Sequence, residues 1–216
     1  MVKINRIPTP PASLARKSGA CYREDDVVTQ LRNDFNDKCY LCERDEIQSP
    51  EVEHLQPHGG NPILKYQWEN LFLSCAHCNS VKNVPKYNGM ILDCCEDDPE
   101  SLLDHALVNG IVTVHPLDPA TTDPKVIMTA QLLTECFEKT STGIRKAECE
   151  VLKKSLNRTM NTLYRKLGEY KDSQSQETLD LLEGMLSRTY KFAGFTRAYV
   201  RAHLDDYPAL APFVAL

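Results

Sequence analysis

The chain has 216 residues, 42% hydrophobic and 25% charged, with a formal net charge of -5; this is the balance of a globular protein long enough to bury a sizeable core, and it excludes a disordered or fibrous chain. No apolar run reaches bilayer-spanning length and Met1-Val2-Lys3-Ile4-Asn5-Arg6 lacks the apolar core of a signal peptide, so a cytoplasmic location without membrane contact is expected. The negative charge also argues against unaided capture of nucleic acid, because non-specific affinity comes mostly from Lys and Arg displacing counterions.

The predicted elements begin with Pro8-Thr9-Pro10-Pro11, which sustains neither a helix nor a central strand and predicts an extended arm lying against the rest of the chain. Val27, Val28, Leu31 and Phe35 recur at helical spacing behind an acidic first turn, predicting a short amphipathic helix between Glu24 and Phe35. Short apolar runs from Val52 to Leu55 and from Leu71 to Leu73 flank Gly59-Gly60-Asn61-Pro62, a strong turn signal, and predict a loop-rich β-hairpin. Cys78 to about Val84 reads as a short helix ended by Pro85. Glu96-Asp97-Asp98-Pro99-Glu100 reads as a solvated acidic turn, and Asn109-Gly110 between two strand-like runs, 102–108 and 111–115, predicts a second hairpin.

After a loop from Pro116 to Pro124 the pattern is helical. One helix covers Val126 to Phe137, and a longer one carries the apolar stripe Ile144, Ala147, Val151, Leu152, Met160, Leu163 and Leu167. Ser173-Gln174-Ser175-Gln176 has the form of a capping box for a third, and a last short helix follows Gly194. Residues 141–204 hold 12 Lys+Arg against 7 Asp+Glu. That surplus is placed to meet phosphate, although a solvated helix surface is the commoner reason for one.

Nine cysteines are many for a chain in a reducing compartment, where disulfides rarely persist, and they point to metal binding. Cys39-Tyr40-Leu41-Cys42 and Cys75-Ala76-His77-Cys78 each offer two thiolates from a tight turn, together the four soft ligands of a structural Zn²⁺. Cys21, Cys94, Cys95, Cys136 and Cys149 fall at no ligand spacing and read as reduced thiols, with His77 a surface residue. Between and after the pairs, Glu53 and His54 alternate faces on a strand, so one can face a metal while the other faces a water. Asn79 and Asn83 are four apart and share a helix face, with Asn70 between the two groups.

This order of residues resembles the HNH endonuclease family and its ββα-metal fold. The resemblance implies an α+β chain: an arm and helix over 1–38, a zinc-stapled ββα-metal nuclease core over 39–90, and a β-hairpin with C-terminal α-helices over 91–216 for partner docking or phosphate contact. It implies His54 as general base, Glu53 as catalytic metal ligand, Asn70 as the group orienting the base, Asn79 as the helical metal ligand, Asn83 as a further ligand position and Lys82 as a phosphate contact. Asn79 stands where many members have histidine, which leaves oxygen donors only and favours Mg²⁺ or Mn²⁺, with zinc confined to the cysteines. His58 lies in the Pro57 to Pro62 turn and does not match the motif.

Val52-Glu53-His54-Leu55-Gln56-Pro57 and Trp68-Glu69-Asn70-Leu71-Phe72 further resemble the HNH components of Septu antiphage systems and related effectors encoded beside retrons. That likeness implies an ABC/SMC-like ATPase partner that gates the chain, and a nucleic-acid substrate with DNA ahead of RNA. The other reading of the same residues is a non-catalytic zinc-knuckle module that binds nucleic acid or protein.

Overall fold

The structure, a computed structural model, describes residues 1–83, 85–87 and 89–216. It is mixed α/β, with two separate two-stranded antiparallel sheets set among helices. Helix α1 (Asp25–Asp34) places Asp25 and Asp26 in its first turn, where the helix dipole favours negative charge, and buries Val27 and Leu31. Strand β1 (Pro50–His54) pairs with β2 (Leu71–Cys75), Val52 opposite Leu73 and His54 opposite Leu71, so the first expected hairpin is present.

Its connection contains an unexpected helix. Asn61 accepts from the Ile63 N–H and Pro62 takes the first helical position of α2 (Pro62–Tyr66), where a missing N–H costs nothing. Helix α3 (Ala76–Lys82) follows β2 without a break, because the Cys75 Sγ accepts from the Cys78 N–H at 3.4 Å and caps it. It therefore starts before Cys78, and the expected end at Val84 lies outside the described residues.

In the second hairpin, β3 (Leu103–Val108) and β4 (Ile111–Pro116), Asn109 and Gly110 take φ of 53° and 76°, the left-handed pair a two-residue turn needs to match strand twist. Helices α4 (Pro124–Glu138), α5 (Gly143–Ser173), α6 (Gln176–Leu186), α7 (Ala193–Ala202) and α8 (Ala211–Val214) complete the chain. The row buried by α5 is Cys149, Leu152, Leu156, Met160, Leu163 and Leu167, whereas Ile144 and Val151 of the expected stripe face solvent. The cap of α6 is Ser175, which accepts from the Thr178 N–H; Ser173 is still the last residue of α5.

The acidic turn is not solvated at its end. Glu100 is fully buried and accepts from Arg188 at 2.5 Å, Arg197 at 2.5 Å and Arg201 at 2.8 Å. Those partners lie far along the chain, where local pattern cannot see them. They also take three cations out of the C-terminal basic surplus, and Lys153, Lys166 and Lys171 pair with Glu138, Glu169 and Asp206.

One apolar cluster runs from Met1 and Leu41 through Phe72, Leu103 and Phe137 to Val214. Met1, Val2 and Ile4 lie in it, whereas Pro8, Thr9 and Pro10 of the expected arm are exposed, and the contacts that fasten this end come from the residues before them. The Ile4 N–H donates to the Cys94 carbonyl at 2.8 Å, the Trp68 Nε1–H donates to the Ile7 carbonyl at 2.9 Å, and the Arg6 guanidinium sits 4.2 Å over the Trp68 ring. Among the described residues no helix is long and apolar enough to cross a membrane.

Candidate active site

The first cysteine pair is folded by its own backbone. The Cys39 N–H donates to the Arg44 carbonyl, the Glu43 N–H donates back to the Cys39 carbonyl, and the Tyr40 N–H donates to the Leu73 carbonyl of β2. That last bond brings Cys39 and Cys42 beside Cys75 and Cys78, and the four buried Sγ atoms lie within 4.8 Å of one another. A tetrahedral zinc with bonds of about 2.3 Å has sulfur–sulfur edges of about 3.8 Å, and Cys42 Sγ stands 4.0 Å from Cys75 Sγ.

Charge fits the same conclusion. Burial pushes the Cys42 and Cys78 thiols well up; it pushes Cys39 up too, but hydrogen bonds from Cys42, Cys75 and Cys78 outweigh it and hold that thiol well below the usual range. A divalent cation would favour the thiolate form of buried cysteines gathered in this way. His77 turns from the cluster and its Nε2 donates to the Cys136 carbonyl at 2.7 Å, so it belongs to the packing of α3 on α4.

On the other side of α3 a cleft of about 280 Å³ is lined by Glu53, His54, Asn79, Lys82 and Asn83, and also by Tyr22, Arg23 and His58. Half-buried His54 directs Nε2 at the Lys65 carbonyl, 3.0 Å away. A carbonyl only accepts, so Nε2 carries the hydrogen and Nδ1 keeps the lone pair. The ring is flanked edge-on by Tyr22 at 5.0 Å and His58 at 4.7 Å between centroids. Burial pushes the His54 pKa below the usual imidazole value; the Lys65 carbonyl pulls it back, while His58, Lys82 and Arg23 add to the depression.

Asn70 does not hold the base directly. Its Oδ1 accepts from the Gln56 N–H at 2.7 Å, and its Nδ2 donates to the Gln56 and Leu64 carbonyls, both at 2.9 Å. It sits in the 3-10 turn Trp68–Asn70 leading into β2, facing the connection. There it fastens the two ends of the 56–64 loop, and the next residue, Lys65, supplies the carbonyl that meets His54.

Lys82 and Glu53 are paired with each other beneath the cleft. Lys82, 4% exposed, donates to Glu53 Oε1 at 2.5 Å and to the His54 and Leu55 carbonyls at 3.0 Å each. An ammonium has three donors and all are taken, so the structure gives this lysine a place beneath the strand end and not at a phosphate. Tyr40 donates to the other oxygen of Glu53 at 2.9 Å. Burial pushes the Glu53 carboxyl up, against the pull of Lys82 and Tyr40.

Each Glu53 oxygen holds one donor and keeps a lone pair, and the Asn79 and Asn83 carboxamides line the same cleft. Those donors suit a hard cation, which would share the carboxylate with Lys82. Sequence reasoning did not single out Tyr22 and Arg23, which precede α1 with no motif to mark them, and it set His58 aside as a turn residue.

No protein-family model matches the chain. Among curated proteins it is similar to the Septu protein PtuB of Bacillus mycoides (strain KBAB4), 28% identical over an aligned segment that takes in 38% of this chain and 39% of the relative. The chain thus covers well under two thirds of that relative's length, and the likeness supports a distant Septu-related relationship.

Proposed function

We propose that the chain is an HNH-type endonuclease, hydrolysing nucleic-acid phosphodiester bonds as the nuclease of an antiphage complex with an ABC/SMC-like ATPase. The observation that carries this is His54: an imidazole fixed by a backbone carbonyl on Nε2, which leaves Nδ1 as the acceptor of the neutral ring, at a polar cleft beside a buried carboxylate. That is the arrangement a general base needs, since a neutral ring with one free lone pair can take a proton from water as the oxygen attacks phosphorus. Lys82 fixes the carbonyls of His54 and Leu55 and so holds the base where the strand ends; Asn70 fixes the loop that meets it from the other side.

The residues 39–90 are the nuclease core in this reading. Zinc at Cys39, Cys42, Cys75 and Cys78 would fasten the first knuckle to the start of α3. Magnesium or manganese at Glu53, Asn79 and Asn83 would supply charge stabilisation on the phosphate oxygens. The similarity to a Septu protein supports the defence role and a partner within such a system; the ATPase identity of that partner is what the sequence resemblance implies. The substrate class in this reading is a nucleic acid met through its phosphate backbone, with DNA ahead of RNA as the sequence resemblance implies.

The test is to purify the chain with its ATPase partner, strip divalent ions, and incubate with plasmid DNA and with RNA before and after Mg²⁺ is restored. Hydrolysis of DNA on restoring Mg²⁺ is expected. If neither nucleic acid is cut under any of these conditions, the nuclease reading is wrong and a zinc-knuckle binding module remains.

A further inference from the structure

We propose that Arg23 and His58, and not Lys82, bind the phosphate in this cleft. The proposal takes the identity of the phosphate from the nuclease reading, but the groups stand on their own geometry. Three cationic or potentially cationic side chains besides His54 line the cleft: Arg23, His58 and Lys82. Lys82 is neutralised by Glu53, the one carboxylate among the lining residues, and its donors are all used. Among the described residues lining the cleft, that leaves one charged side chain without a partner.

Arg23 is that charge. Among the described residues its side chain makes no hydrogen bond and no ion pair, and its guanidinium stands 5.4 Å over the Tyr22 ring. A planar guanidinium held against an aromatic face presents its N–H fork outward, the geometry that meets two phosphate oxygens at once. Tyr22, the platform, is the same residue that packs edge-on against His54, so one dipeptide brings a phosphate group to the base.

His58 lines the same cleft with one available donor. Its Nδ1 accepts from the Gly60 N–H at 3.0 Å, which leaves the hydrogen of the neutral ring on Nε2. The ring touches that of His54, 4.7 Å between centroids. A phosphate spanning Arg23 and the His58 Nε2–H would thus lie against the base, and Gly59-Gly60, both at positive φ, form the tight turn that carries His58 there.

The experiment is a titration of the full-length, zinc-loaded chain with inorganic phosphate, followed by NMR of ¹⁵N-labelled histidines. A saturable shift at His58 Nε2 is expected in wild type, with affinity weaker by about tenfold or more in Arg23→Ala. Unchanged His105 signals, from a buried residue of β3, verify that the exposed Arg23→Ala site has not unfolded the chain. Binding that is absent in wild type, or equal in Arg23→Ala, overturns the proposal. The nuclease reading fails separately: a complex that cuts no nucleic acid while this phosphate site titrates as described loses the activity and keeps the site. Conversely, normal cutting by Arg23→Ala keeps the nuclease and removes the site.

Discussion

Asn70 makes three hydrogen bonds, all to the backbone of the loop it closes, and is 5% exposed. Removing the carboxamide leaves part-buried peptide groups without their partner, so Asn70→Ala should cost about 1–3 kcal/mol. Denaturant unfolding measures this, and an unchanged midpoint would show that the loop closes without it. The neighbouring base makes a pH prediction. His54 resists protonation through burial, so the acid limb of the hydrolysis rate should lie below about pH 6.5, the value of a free imidazole; a limb above that pH contradicts the assignment. The same depression affects stability. The unfolded chain takes up protons at His54 and at buried His105 before the folded one does, so their contribution is fully present above about pH 6.5 and is lost as pH falls below it. At this scale the sequence shows which residue types matter, but not their bonds. Glu53, His54, Asn79 and Asn83 line one cleft, although α3 ends at Lys82 and Asn83 is its C-cap and not on the helix face it was expected to share with Asn79; the partners of Asn70 and Lys82 depend on a loop path that spacing does not encode.

At the level of elements, β2 and α3 are joined by Cys75, which ends the strand, caps the helix and belongs to the four-cysteine cluster that could hold a metal ion. Cys75→Ser should therefore lose the zinc, about one ion per chain, and speed amide exchange through α3. Metal analysis with hydrogen exchange checks both, and full zinc retention would remove the four-cysteine site. The two hairpins and the long helices were legible because their signals are local: alternating apolar runs, Asn109-Gly110, and helical periodicity. Helix α2 was hidden because Gly59-Gly60-Asn61-Pro62 is both a turn and a helix start, and the turn is the louder signal. Ser175 was obscured by Ser173, two residues earlier and equally fit as a cap by type.

Across the whole molecule, long-range polar contacts tie the C-terminal helices to the rest. Glu100, between Arg188, Arg197 and Arg201, holds the turn before β3 against α7. Removing the acid leaves buried Arg197 uncompensated and part-buried Arg188 and Arg201 without their partner, so Glu100→Ala should lower stability by about 3–5 kcal/mol, read by thermal or denaturant unfolding; a loss near zero would mean the network is dispensable. Gly194→Ala belongs to the same scale, since its Cβ would come within 2.8 Å of Glu43 Oε2 and of the Met1 nitrogen. Overpacking of that kind costs about 1–3 kcal/mol. None of this was legible beforehand, because charge counts say how many cations a region holds and not which acids they meet. The most direct test is cleavage of DNA by the assembled complex, wild type against His54→Ala at equal zinc content with Mg²⁺ present. Loss of His54 should slow cleavage by about a hundredfold to ten-thousandfold; cleavage that continues undiminished would contradict the role of His54 as the base.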